Sequence, residues 1–537
     1  MTIKVNAMGD VCPIPVVKTQ KAMQELGGAG TVETLVNNET AVQNLGKLAA
    51  SKGCTSKTEK LGENEYRVTI TVGENAKVEE QSGECYTCGK PKTVVVLSSD
   101  KMGSGNDELG GALMKAFVFA LSQQETLPDT ILCYNGGVKL TCEGSESLED
   151  LKGMAARGVE IEGDPAAETA MRYVIYQLTA NCSARDPGVS IGARGLTHAR
   201  YKGCYFWDTD LFLAPFYVLE DAEAARSLMR YRIGALPAAK EHAKRMNGAG
   251  ARYPWMAALD GSEQCESWDI GASEVHVTAD VAFALGHYLD WTGDDELFFA
   301  GGAALLIETA RFWPSRYSPA PGGGVNLLFC KGPDEYCGIT SNNLFTNVMV
   351  RRNLSLAARA AERLEREDPA QYAALGLSPG EVRSWLKLRE AIPIPRDPET
   401  GRIRQDDSLH LLEPVDPASL KAGDEASYHK VCFDRVQRYK VIKQADVLLL
   451  MTRLPELFTK EEKMQAWNDF EPLCLHDSTL SFASHALFAL QNGLREKGIE
   501  YLRKALLLDL RDLMNNTGKE GLHLAGMGEG WQAACLL

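Results

Sequence analysis

The chain has 537 residues, 45% hydrophobic and 24% charged, the balance of a soluble globular protein rather than of a collagen-like, disordered or coiled-coil chain. Lys and Arg number 57 against 72 Asp and Glu; the resulting net charge of −15 has the wrong sign for gripping nucleic acid or an anionic membrane surface, so a small molecule or another protein is the expected partner. At roughly 100–200 residues per domain, the length asks for about three folding units.

The N-terminus, MTIKVNAMGD, lacks a basic segment leading into an apolar core. The longest apolar stretches, such as ADVLLLM at 445–451, are too short to cross a bilayer, and the 14 cysteines are scattered as in a reducing compartment. The expected location is the cytoplasm. Residues 3–7 alternate like a strand, and CPIP precedes a helical apolar face carried by Val16, Val17, Ala22, Met23 and Leu26. TVETLVNN then reads as a strand, TAVQNLGKLAASKG as a helix closed by Gly53, and EYRVTITVG as another strand, giving a small α/β domain over residues 1–75. Residues 76–92 are polar and nearly free of core residues, as a linker is. In 93–162 a β-branched run (TVVVLSS), a helix (ELGGALMKAFVFALSQ) and a second strand (DTILCYNGG) form a βαβ pattern, followed by a helix in SLEDLKGMAARG and a strand-like GVEIE.

From residue 163 to 537 helical periodicity takes over, in AAETAMRYVIYQLTA, DAEAARSLMRYRIGALPAAKEHAKR, VTADVAFALGHYLDWTG, GAALLIETARFWPSR, LFTNVMVRRNLSLAARAAERL and SFASHALFALQNGLREKGIEYLRKALLLDL. Helical pairs with short loops predict an all-α (α/α)6 toroid with its functional residues in loops at one rim. The expected fold class is therefore multidomain, two α/β segments followed by the toroid.

Six places carry chemistry-bearing residues. Cys12 stands ahead of Pro13-Ile14-Pro15 and a helix, whose N–H groups favour thiolate, although a small buried cysteine fits the same pattern. Cys85 and Cys88 form one CxxC, two of the four ligands a structural zinc needs. Phe206-Trp207-Asp208-Thr209-Asp210 pairs an indole with carboxylates, suited to stacking on a sugar face while accepting from its hydroxyls. Lys331-Gly332-Pro333-Asp334-Glu335-Tyr336 places two carboxylates in a loop before Asn342-Asn343, a pattern that a solvated turn with a helix cap also explains. Lys443-Gln444-Ala445-Asp446 enters an apolar helix. His476-Asp477-Ser478-Thr479-Leu480-Ser481 offers hydroxyls and N–H groups near a helix start, where oxyanions are held, or else a plain N-cap.

MGDVCPIPVVKTQKAM resembles the TusA-like (SirA-like) sulfur-carrier family over about residues 3–73, and that resemblance implies a persulfide on Cys12. Thr93 to about Glu162 resembles part of the DsrE-like domain fused to this carrier in YedF-type proteins of selenium metabolism, without that domain's cysteine motif. From VEIEGDPAAETAMRYVIYQL through SIGARGLTHARYKGCYFWDTDLF, RYPW, HVTADVAFAL, ETARFW, GPDEY, YKVIKQADVLLL and LHDSTLS to NNTGKEGLHLAGMGEGWQA, the chain resembles the catalytic domain of glycoside hydrolase family 65, the inverting disaccharide phosphorylases.

The family resemblance implies cleavage of an α-glucosyl disaccharide by phosphate to β-glucose 1-phosphate and a free sugar. Glu335 is then the general acid, its proton favoured by neighbouring carboxylates. Trp207 and Asp208 match the glucose subsite, and Lys443 and Gln444 the acceptor side. His476, Ser478 and Ser481 match the phosphate segment, with further N–H donors from a Gly526-Met527-Gly528 turn. No metal or organic cofactor is implied beyond phosphate as co-substrate. The implied partners are the disaccharide, a sulfur-transfer protein at Cys12 and a second copy in a homodimer. The alternative is a sulfur or selenium relay through Cys12 with the toroid as passenger. Cys337 stands where the family usually has His. The family's N-terminal β-sandwich is replaced by the two α/β segments and its C-terminal β domain is missing, so a chimeric chain is expected.

Overall fold

The computed structural model describes the chain apart from residues 1, 10–13, 27–28, 63–64, 74–92, 104, 123, 125–126, 129, 143, 149, 152–160, 162, 185, 198–199, 266 and 422–425. Cys12, Cys85 and Cys88, the linker, and most of the helix and strand expected over 147–162 lie outside the described residues. The chain divides into two compact units, Met1–Gly158 and Val159–Leu537. Among the described residues no helix is long and apolar enough to cross a membrane.

The first unit begins with β1 (Thr2–Asn6), α1 (Ile14–Glu25), β2 (Gly30–Val36), α2 (Glu39–Ser51), β3 (Thr55–Gly62) and β4 (Glu65–Val72). The sheet order is β1-β2-β4-β3, with β1 and β2 parallel across the α1 crossover and the other pairs antiparallel. Strict alternation in β2 and β4 buries Val32, Val36, Val68, Ile70 and Val72 against Ala41, Leu45 and Ala49 of α2. Asn38 caps α2 by accepting from the Ala41 N–H at 2.8 Å. Strand β3, TSKTEKLG, was not expected: it is a polar edge strand, exposed almost throughout, and carries no alternation to read. Further along, β5 (Val94–Leu97) and β6 (Thr130–Cys133) pair in parallel around α3 (Asp107–Ser122), the predicted βαβ unit.

The second unit is a closed ring. Six inner helical segments, Thr209–Glu220, Val277–Thr292, Leu344–Glu367, Val447–Arg453, Ser481–Gln491 and Leu524–Ala534, each pack on the next, and the last returns to the first. Outside them pack Pro165–Ala180, Ala222–Gly234, Ala303–Arg316, Pro379–Ala391, Lys460–Phe470 and Arg495–Leu507. The inner helices are the more deeply buried set; Val277 through Gly286, for example, has no exposed position. The outer helices bury one stripe each, as amphipathic helices do. Two predicted long helices break where the sequence breaks them: at Ala235, ahead of Pro237, and at Asn492-Gly493, where Gly493 takes φ 81°.

Candidate active site

The N-terminal ends of the inner helices converge on one rim, where a cavity of about 350 Å³ opens. Its walls come from the residues leading into five of these helices: Trp207 and Asp208, Glu335, Lys443 and Gln444, Ser478 and Thr479, and His523 with Ala525. The sixth joins through His276, whose ring meets Trp207 edge-on at 4.9 Å. Four motifs far apart in the sequence thus share one chamber.

Each wall is anchored from behind. The Trp207-Asp208 segment is held by a fully buried ion pair between Asp210 and Arg232, and Arg232 also donates to the Phe206 carbonyl at 3.0 Å. Glu335 stands at the start of a short 3-10 turn capped by Asp334, which accepts from the Tyr336 N–H at 3.1 Å, the Lys443 N–H at 2.8 Å and the Gln405 amide at 3.0 Å. Gln444 donates to the Pro333 carbonyl at 2.6 Å, and the fully buried Lys331 ammonium donates to the Glu335 carbonyl at 3.2 Å. The Tyr336 hydroxyl reaches Asp477 at 2.8 Å. The acid loop, the 443–446 segment and the 476–481 turn are therefore stitched into one piece. Cys337, at the position of departure from the family, is buried with its thiol facing the Gly338 carbonyl at 3.4 Å.

The immediate partner of the Glu335 carboxylate differs from the one expected. It is a cation: Lys443 Nζ lies 2.8 Å from Glu335 Oε1. Burial works against the Lys443 ammonium, but Glu335 outweighs it and raises the lysine pKa. Of the other carboxylates, Asp208 lines the cavity, while Asp334, Asp446 and Glu274 are buried one layer back. Burial pushes Asp208 up to about 6, opposed by its own backbone hydrogen bond and by Arg194. It carries Asp334 to about 7, and Asp446, with Asp334 adding to the effect, to about 8. Glu274 rises to about 7, chiefly through burial.

On the anion side the sequence reading needs correction. Ser478 lines the cavity with Thr479, but Ser481 does not: it is fully buried and its hydroxyl faces His476 Nδ1 at 2.8 Å. His476 also lies behind the wall. The expected Gly526-Met527-Gly528 turn is the interior of the helix Leu524–Ala534. A Cβ on Gly526 would stand 2.9 Å from the Thr479 carbonyl oxygen and one on Gly528 2.5 Å from that of Phe212, so these glycines let backbones touch. The Gly528 N–H is spent within the helix, and Ala525 faces the cavity in their place.

Arg194, Arg200, Tyr201, Trp255 and Tyr428 also line the cavity and were not singled out from the sequence. Arg194 and Arg200 share Glu520, which Arg194 meets at 2.9 Å, and Arg194 donates to the Gly521 carbonyl at 3.3 Å. They sit in irregular chain, where no periodicity marks them; two arginines flanking the Trp207-Asp208 segment were the available signal.

Residues 172–532 match the family model described as the glycosyl hydrolase family 65 central catalytic domain, and residues 3–72 match that of sulfurtransferase TusA. An α,α-trehalose phosphorylase of Thermoanaerobacter brockii is 34% identical over 381 residues, covering 70% of this chain and 49% of the relative. A kojibiose phosphorylase of Caldanaerobacter subterraneus is 33% identical over 399 residues, 70% of this chain and 51% of the relative. The chain spans about half the length of these curated relatives. The solved structure of a candidate kojibiose phosphorylase from the human microbiome shares the fold at a TM-score of 0.66 and 22% identity, over 89% of this chain and 63% of that one.

Proposed function

The chain belongs to glycosyl hydrolase family 65, and on that premise we propose that it is an inverting disaccharide phosphorylase: an α-glucosyl disaccharide and phosphate give β-glucose 1-phosphate and a free sugar. The observation that carries the proposal is the single cavity shared by Trp207, Asp208, Glu335, Lys443, Gln444 and Ser478. Trp207, its ring otherwise buried against Phe212, His276 and Phe345, bounds the glucose subsite where it reaches the cavity, and Asp208 accepts from the sugar hydroxyls. Glu335 gives its proton to the glycosidic oxygen as the bond to the anomeric carbon breaks. An oxygen of phosphate attacks that carbon from the opposite face, so the configuration inverts and no second carboxylate is needed to activate water.

Lys443, paired with Glu335 before substrate arrives, turns to a hydroxyl of the departing sugar, with Gln444 beside it. Ser478, Thr479 and the helix start behind them hold the phosphate, and the proton shed by the new phosphate monoester restores the acid. His476 and Ser481 act on that wall from behind. The test is phosphate-dependent release of glucose 1-phosphate, expected to fall by at least ~10²-fold in Glu335→Gln. Activity that survives the substitution removes the acid, and glucose release indifferent to phosphate makes the protein a hydrolase.

A second reading rests on the TusA match over residues 3–72: Cys12 carries a persulfide to a sulfur-transfer partner, with residues 93–162 as a DsrE-like remnant. Trapping of a labelled persulfide in wild type and its absence in Cys12→Ser is the expected outcome; equal labelling of both rejects it.

A further inference from the structure

Behind the Ser478-Thr479 wall lies a cluster whose Cys474 and His485 the sugar chemistry does not use. Cys474 Sγ is 3.7 Å from His476 Nδ1, and a ring nitrogen of His485 completes three ligand atoms, all within 4.8 Å of one another. Cys474 and His485 are buried, the latter completely. A tetrahedral zinc with bonds of about 2.3 Å to sulfur and 2.0 Å to nitrogen holds such atoms roughly 3.5 Å apart, so the cysteine and the first histidine already stand at ligand spacing. The Ser481 hydroxyl, 3.3 Å from Cys474 Sγ and 2.8 Å from His476 Nδ1, occupies a fourth corner.

The surroundings are those of a metal site. Ligating histidines use their second nitrogen on an outer partner that fixes the ring. Here His476 Nε2 faces the Tyr501 hydroxyl at 3.3 Å, which itself donates to Glu471 at 2.7 Å. His485 Nδ1 lies 2.8 Å from the Ser481 carbonyl oxygen, while its Nε2 is buried without a hydrogen-bond partner.

We propose that Cys474, His476 and His485 form a binding site for a soft divalent cation of the zinc class. One thiol and two imidazoles select such an ion over magnesium or calcium, which take oxygen donors. On binding, the S–H bond of Cys474 breaks and its proton goes to solvent, one metal–sulfur and two metal–nitrogen bonds form, and no oxidation state changes. The bound ion ties three pieces together: Cys474, which bridges to Ile442 beside Lys443; the 476–481 turn; and the inner helix carrying His485. It also leaves a net single positive charge behind Ser478 and Thr479, on the wall facing the cavity.

The test uses the full chain, stripped with a chelator and titrated with cobalt(II) alone, whose thiolate complex absorbs in the near ultraviolet. Wild type is expected to develop this band at one ion per chain. The double variant Cys85→Ala/Cys88→Ala keeps it, Cys474→Ala loses it, and His485→Gln weakens binding at least roughly tenfold. No band in wild type overturns the proposal, as does a band that survives Cys474→Ala. Should Cys474→Ala not fold, as judged by its tryptophan emission, unchanged cobalt affinity in His485→Gln overturns it. The readout is optical and needs no turnover, so its failure is separate from failure of the phosphorylase reading.

Discussion

Gly332 is the residue on which the acid loop turns, and replacing it with alanine tests whether the loop is held as described. A Cβ there would stand 2.2 Å from Asn343 Nδ2 and 2.4 Å from Asp446 Oδ2, two buried atoms that are hydrogen-bonded to each other at 2.9 Å. Neither is the free end of a long side chain. Asn343 also caps the helix Leu344–Glu367 by accepting from the Thr346 N–H at 2.9 Å. Either the loop moves, an overpacking strain of about 1–3 kcal/mol, or Asn343 swings away and gives up a buried hydrogen bond and a cap, together roughly 1.5–5 kcal/mol. All 8 tryptophans lie beyond residue 200, so their emission follows the ring alone. Gly332→Ala is expected to lower its melting temperature by roughly 1–6 °C and, by shifting Glu335 by about 1 Å, to reduce phosphorolysis ~10²-fold. Gly234→Ala, at a helix end with open space around it, is the control and should not be destabilised. If Gly332→Ala melts with wild type and turns over at its rate, the described packing of the loop is wrong.

Stability should fall as pH rises from 7 to 8.5. Asp334 at about 7 and Asp446 at about 8 hold protons in the folded ring that the unfolded chain has already released, so the folded state binds more protons across this window and loses stability as they leave. The depressed histidines, such as His485 at about 4, are neutral in both states there and add nothing. Tryptophan-detected melting at the two pH values should show the drop, and Asp446→Asn should shrink it; a melting temperature that climbs over the window contradicts the assignment. Ser478→Ala should raise the KM for phosphate and leave melting unchanged, whereas Ser481→Ala, which opens the buried contacts to His476 and Cys474, should lose about 1–3 kcal/mol of stability. A reversed pattern would return Ser481 to the phosphate.

Much of this architecture was legible from periodicity. Val277–Thr292 and Leu344–Glu367 were readable because long apolar runs end at Gly293, in left-handed conformation, and begin at the Asn343 cap. Pro379–Ala391 and Lys460–Phe470 were not, since each buries little and its polar surface hides the helical stripe. Leu524–Ala534 was mistaken for a turn because three glycines in LAGMGEGWQAA argue against a helix by propensity, a penalty overridden where tertiary contact demands that two backbones meet. The same limit separates Ser478 from Ser481: one sequence motif, two hydroxyls, and only the position of the helix start decides which faces the cavity. The Lys443–Glu335 pair could not be seen at all, because spacing says nothing of contacts between loops 108 positions apart.

The net charge of −15 argues against polyanions as partners, yet the proposed chemistry brings in a phosphate. Net charge governs the field at a distance, whereas a cavity's potential is set by the few groups lining it and by the dipoles aimed at it. The ring satisfies both. Its acidic residues lie largely outside, paired on the outer helices, as in Lys504–Glu500 and Arg311–Glu381. At the rim stand Arg194, Arg200 and Lys443, together with the N-terminal ends of inner helices that all begin on the same side. That common direction follows from topology: in a ring of alternating inner and outer helices, every inner helix must run the same way. The toroid therefore delivers helix N-termini to one end whatever the surface charge, and motifs placed just ahead of them inherit a setting that favours an anion.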